Sequence, residues 1–117
     1  MNAQFIGFGE VELDGTRYRE DLVIVGGRVR DRDKSVSRRF KSNYGHTPLS
    51  AEESIPWNCS RLIVGTGANG RLPITAEVRT AAEQHGVELV AVPTEQACDM
   101  LRQADVQTTN AILHLTC

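Results

Sequence analysis

The period of apolar and polar residues changes halfway along the chain. "EVEL" (Glu10–Leu13) alternates polar and apolar, the period of a half-buried strand. Asp14-Gly15 follows, a pair suited to a two-residue hairpin turn because both central residues need positive φ. "TRYREDLVIV" (Thr16–Val25) runs into Leu22–Val25, an apolar stretch that suits a strand covered on both faces. Gly26-Gly27 predicts a second turn. "RVRDR" (Arg28–Arg32) then predicts an edge strand, with charges that discourage unwanted pairing. The first thirty or so residues therefore predict a β-meander.

From Arg30 to His46 the periodicity is lost and charge gathers. Ser50 opens "SAEE" with Glu53 in the capping-box position, and Pro56 stops what is predicted to be a short helix. Beyond it the pattern switches to β-α-β-α-β. Leu62–Val64 is a short apolar strand. Thr75 is placed to cap a helix from about Ala76 to His85, with Val78, Ala81, Ala82 and His85 on one face and Gly86 at its end. "VELVAV" (Val87–Val92) is the next strand, closed by Pro93. Thr94 is placed to cap a second helix with Ala97, Cys98, Leu101 and Ala104 inward, and "NAILHLTC" (Asn110–Cys117) supplies the last strand.

Strands separated by helices of this length imply parallel pairing with right-handed crossovers. Because these strands are apolar on both faces, both faces need a cover. The expected fold is therefore α/β in three layers: a central mixed sheet, two helices on one face, and the N-terminal β-meander on the other. All 117 residues form one domain in this reading, a size that buries roughly two-thirds of the unfolded surface.

Composition narrows the function classes. Apolar residues make up 40% and charged residues 24%, with a net charge of −2 and a pI near 5.9, which gives no global attraction to nucleic acid or membrane. No apolar run approaches the roughly 18 residues of a membrane span. "MNAQFIGFGE" has neither a signal-peptide nor a transit-peptide pattern, so a cytoplasmic location is expected. The charge is uneven, however. Arg28 to Lys41 holds seven basic and two acidic residues, leaving the rest of the chain at −7. Phe40 and Tyr44 interleave with Arg38, Arg39 and Lys41, a composition able to contact phosphate and stack on bases. No recognition fold accompanies it, and a solvated loop is the expectation. Cys59, Cys98 and Cys117 lack the close pairing of a zinc site and are expected as free thiols.

Taken in order, "DGTRYREDLVIV", "GHTPLSAEE", "LIVGTGANGRLPI", "ELVAVPTEQAC" and "NAILHLTC" resemble the Mth-domain family across nearly the whole chain. That family includes a mitochondrial assembly factor for respiratory complex I and an adipogenesis-associated protein. The resemblance implies a three-layer fold around a mixed sheet and points toward assembly work. It brings no reaction and no catalytic residue.

"GTGANG" (Gly65–Gly70) has the G-x-G-x-x-G spacing of a dinucleotide fingerprint. That motif works only where a helix begins inside it, so that pyrophosphate meets the first helical N–H groups. Here Pro73 intervenes and the predicted cap is Thr75, so the fingerprint fails and no cofactor or metal is expected. The loop is nevertheless long and lies at a strand's carboxyl end, where parallel sheets keep ligands. Gly65, Thr66, Gly67, Asn69, Gly70, Arg71 and Thr94 are therefore candidates to bind a small anion or acidic peptide. Asp21 joins them as a carboxylate entering a buried strand, with Arg71 or the Gly65–Gly67 backbone as its expected partner. Cys98 is expected to be a buried small hydrophobe, His114 a hydrogen-bonded sheet histidine, and His85 a partner for the last carbonyls of its helix. Two functions are compatible with these residues. The first is a non-enzymatic interaction or assembly module contacting an unidentified protein through Gly65–Arg71, Arg28–Lys41, or both. The second is an anion- or metabolite-binding protein, with or without an enzymatic step.

Overall fold

The structure is a computed structural model and describes residues 1–117. Its N-terminal sheet is an antiparallel meander of β1 (Ala3–Gly7), β2 (Glu10–Leu13) and β3 (Thr16–Tyr18). Asp14 and Gly15 form the β2–β3 turn, both at positive φ as a tight hairpin of this type requires. Strand β1 escaped the hydropathy pattern because only one of its five residues, Ala3, is buried.

The central sheet contains β4 (Leu22–Val25), β5 (Arg28–Asp31), β6 (Arg61–Thr66), β7 (Glu88–Val92) and β8 (Thr109–His114) in the order β5-β4-β8-β6-β7. Strand β6 pairs in parallel with β7 and β8, whereas β4 joins β8 and β5 antiparallel. Side chains alternate between its two faces, as a pleated strand dictates. Leu22, Ile24, Ile63, Ala111 and Leu113 belong to one core, and Val23, Leu62, Val64 and Ile112 to the other.

The α/β class and the three layers are as expected, but the helices are distributed differently. Helix α2 (Ala76–Gln84; α1 is the single turn Lys41–Tyr44) packs Val78 against Leu62 and Val64. Helix α3 (Thr94–Gln103) packs Ala97, Cys98 and Leu101 on the opposite face, beside Ala3, Val11 and Leu13 of the meander. Topology is the cause. Strands β7 and β8 flank β6 on opposite sides, so one right-handed crossover runs outward and the next runs back. The two helices must then lie on opposite faces. Arg102 fastens α3 to the meander by donating to the Ala3 carbonyl at 2.6 Å.

Two capping expectations also change. Thr75 takes the N-cap position of α2 with extended backbone, but its buried hydroxyl makes no hydrogen bond. "SAEE" forms a turn rather than a helix: Glu53 Oε2 accepts from the Ser50 amide at 3.5 Å as a capping box requires, but the same carboxylate is held in a buried ion pair with Arg32.

Candidate functional site

Strands β6 and β8 are parallel neighbours with Thr66 opposite His114, so the chain after each leaves at the same edge. There the glycine loop lies against the chain's last residues. The Gly67 amide donates to Thr94 Oγ1, Ala68 to the Thr116 carbonyl, and Asn69 and Arg71 to that of Cys117. Gly70 donates to the Gly67 carbonyl and Leu72 to that of Thr66. All six amides from 67 to 72 therefore have acceptors within the chain, and none is left for a phosphate. The glycines serve packing. A Cβ on Gly65 would meet Leu113 Cδ2 and Thr94 Oγ1 at 2.9 Å, and one on Gly67 would meet the Cys117 carbonyl carbon at 2.3 Å.

The expected anion site at Thr66, Asn69, Arg71 and Thr94 does not assemble. Thr94 is fully buried, and its hydroxyl both accepts from Gly67 and donates to the His114 carbonyl. Because that hydroxyl ties two strand ends together, it caps no helix. Gly65, Thr66 and Gly67 are buried beside it, while Asn69, Gly70 and Arg71 are exposed.

Asp21 is likewise buried, and its partners are not the expected ones. Its Oδ2 accepts from Arg32 Nη1 at 2.9 Å and lies 2.7 Å from His114 Nδ1, while Oδ1 accepts from the Leu115 amide at 3.0 Å. Burial pushes this carboxyl up, but the His114 bond, the Leu115 amide and the Arg32 charge together outweigh it and bring the pKa down to about 2. Arg32 also grips Glu53 through Nε at 2.8 Å and Nη2 at 2.9 Å, the bidentate geometry that a guanidinium fork favours. Ser37 Oγ donates to Glu53 Oε2 at 2.6 Å and lies 2.7 Å from Ser50 Oγ. The result is a closed buried array in which each charge has a partner. Arg32 is thus no part of a solvated basic loop. The segment around it is strand β5, a 3₁₀ turn (Ser35–Phe40) and α1.

The Asp21 contact orients His114. A deprotonated carboxylate only accepts, so Nδ1 carries the proton and Nε2 faces outward, 3.4 Å from Thr116 Oγ1. Outside it lies an open cleft of about 160 Å³ lined by Lys34, Lys41, His46, Arg71 and His114, with no acidic side chain in its wall. The one ion pair at the cleft is that of His114 with Asp21, and Lys34, Lys41 and Arg71 form none. Sequence order alone could not show this convergence of three segments.

The remaining candidates are plain. Cys98 is fully buried, and loss of solvation raises its thiol to about 11. At pH 8 in the folded protein, an alkylating reagent is expected to modify Cys117 first, Cys59 more slowly because burial raises its thiol as well, and to spare Cys98. Mass spectrometry with and without denaturant checks this, since the thiolate is the reactive form. The His85 ring stacks on Trp57 at 5.3 Å and 9° instead of meeting helix carbonyls.

Comparison with solved structures agrees with this architecture. The conserved hypothetical protein PH1505 from Pyrococcus horikoshii is 29% identical, with both chains covered completely and a TM-score of 0.82. A protein named MT938 is 25% identical over 98% of this chain and 99% of its own, with a TM-score of 0.71. An outer membrane protein from Bartonella henselae shares the fold at 13% identity, with a TM-score of 0.66 over 98% of this chain and 94% of its own. Among curated proteins, none matches significantly. No helix is long and apolar enough to cross a membrane. Residues 4–104 match the family described as "Protein of unknown function (DUF498/DUF598)", and the chain belongs to that family.

Proposed function

We propose that the protein is a non-enzymatic interaction or assembly module of the cytoplasm, of the Mth-domain type within its family. One observation carries this reading: the surface formed by the 3₁₀ turn and α1. Of the four large apolar side chains at least two-fifths exposed, Val36 and Tyr44 both lie here, among exposed Arg38, Arg39 and Lys41. Arg39 covers the Phe40 ring at 4.7 Å and pairs with Glu52. A groove of about 380 Å³ runs between Phe40, Tyr44, Ala51 and the start of α2. Aromatic and arginine side chains beside a groove are the composition of protein-binding hot spots. The ionisable groups beneath are spent on one another, which supports a binding role over a catalytic one.

The test compares wild type with a Val36→Ser/Tyr44→Ala variant as bait in native extract. Both positions are surface ones, where substitutions cost within about 0.5 kcal/mol, so thermal melts should coincide. A protein retained by wild type at physiological salt is expected to fall at least about tenfold with the variant, the loss of one hot-spot contact. Identical retained proteins, or none with either bait, would overturn the reading.

A further inference from the structure

The basic cleft at the carboxyl edge of the central sheet borders the Val36–Tyr44 surface at Lys41 but has a chemistry of its own. Lys34 follows β5, Lys41 begins α1, Arg71 ends the glycine loop, and His114 ends β8. Three separate stretches of the chain thus turn four nitrogen groups toward one space. Like charges placed together repel unless carboxylates intervene, as they do elsewhere at Arg17, Arg61 and Arg102, though not at the scattered, exposed Arg28, Arg38 and Arg79. In the cleft only His114 has a carboxylate partner, Asp21, while Lys34, Lys41 and Arg71 form no ion pair.

We infer that this cleft is a binding site for a small doubly charged oxyanion of the phosphate class. Size supports this. A volume of about 160 Å³ corresponds to about five waters at ~30 Å³ each, room for a tetrahedral oxyanion with part of its hydration. Drug-sized ligands occupy pockets of roughly 300–1,000 Å³, so a whole nucleotide does not fit inside. Polarity supports it as well. Arg71 offers a planar fork and the two lysines offer point charges, the mixture that phosphate groups select. His114 adds discrimination. With Nδ1–H held by Asp21, Nε2 is left for the ligand: bare, it accepts a hydrogen bond from the P–O–H of a monohydrogen phosphate, and protonated, it donates to an oxyanion oxygen. Sulfate carries no such proton at neutral pH and meets only the protonated ring, whereas monohydrogen phosphate meets either form. The same charge can arrive free or as the phosphoryl end of a small metabolite.

The cleft is not the dinucleotide fingerprint whose spacing "GTGANG" carries. Side chains, not amides, do the binding, and of the loop residues only Arg71 takes part.

The experiment titrates purified protein with inorganic phosphate, sulfate and glycerol phosphate at low, constant ionic strength. It reads binding by calorimetry and the His114 ring nitrogens by nitrogen-15 NMR. Saturable phosphate binding is expected, with sulfate weaker and the His114 Nε2 resonance displaced while that of His85 stays still. Arg71→Ala and Lys41→Ala, both at exposed positions, are expected each to weaken binding about tenfold, as loss of a charge-assisted contact does, with the melt unchanged. Glycerol phosphate binding more tightly than phosphate assigns the cleft to a phosphoryl terminus, and the reverse order assigns it to the free anion; both uphold the site. Non-saturable effects, or equal affinities for wild type and the Arg71→Ala/Lys41→Ala double variant, would overturn it. The readout uses the isolated chain, so it stands or falls independently of any protein partner.

Discussion

Arg32→Ala is expected to destabilise the protein by about 3–5 kcal/mol, because it strands two buried carboxylates whose shared partner is gone. The Arg32 side chain is 1% exposed, that of Glu53 4% and that of Asp21 7%, so little water is available to replace the guanidinium. Set against a typical total of 5–15 kcal/mol, this is a large share. Equilibrium urea unfolding measures it as a lower midpoint at unchanged slope. The triple variant Asp21→Asn/Arg32→Met/Glu53→Gln removes every charge together and should cost less than Arg32→Ala alone. A loss under about 1 kcal/mol for Arg32→Ala, the range of exposed ion pairs, would show that water reaches the array freely. The array also sets an acid response. Asp21 titrates at about 2 when folded, against 3.8 for an ordinary aspartate. Its folded pKa is depressed, so the unfolded chain takes the proton first as pH falls. The contribution, roughly 2 kcal/mol, is fully present above about pH 4 and is lost between there and pH 2. Asp21→Asn should flatten that part of the stability profile.

Part of this array was readable from the sequence. A two-residue turn at Gly26-Gly27 fixes the hairpin register, pairing Val25 with Arg28 and Leu22 with Asp31. One step further, Asp21 faces Arg32, and the Arg32 amide indeed donates to the Asp21 carbonyl at 3.0 Å. The turn thus encodes the pair, while the basic neighbours of Arg32 give the same residue the composition of a solvated loop. Glu53 was not readable, because its approach depends on how residues 33–52 fold back, and no local period encodes that path. The periods of 2 and 3.6 placed β2, β4, β6, α2 and α3, where one face is continuously apolar. They missed β1, whose inward side is supplied mainly by Ala3 and Phe5. They also left open which helix covers which face, since that depends on strand order and strand order is tertiary information. The cleft follows the same rule. Arg71 was marked by its place after a strand's carboxyl end, but Lys34 and Lys41 joined it only through the fold of the segment between β5 and β6.

Gly67→Ala is expected to cost about 4 kcal/mol, whereas Gly70→Ala, three residues on in the same loop, should cost about 1. Both glycines have positive φ, at +107° and +66°. The difference lies in what a side chain would meet. At Gly70 the nearest atoms are 3.5 Å away, so only the modest left-handed penalty applies. At Gly67 a Cβ would sit 2.3 Å from the Cys117 carbonyl carbon and 2.7 Å from the carbonyl oxygens of Thr116 and Cys117. Both are backbone, not the end of a movable side chain, so one chain must withdraw from the other. Withdrawal breaks the bonds from Ala68, Asn69 and Arg71 to those carbonyls, at about 1 kcal/mol each, and a strained φ adds roughly 1–3 kcal/mol. Thermal unfolding of the two variants side by side measures the contrast, and equal losses would remove the close crossing as its cause. The crossing also matters for the cleft. Arg71 is held at its rim by the amide bond to the Cys117 carbonyl, so displacing that contact should weaken phosphate binding in folded Gly67→Ala and leave it intact in Gly70→Ala.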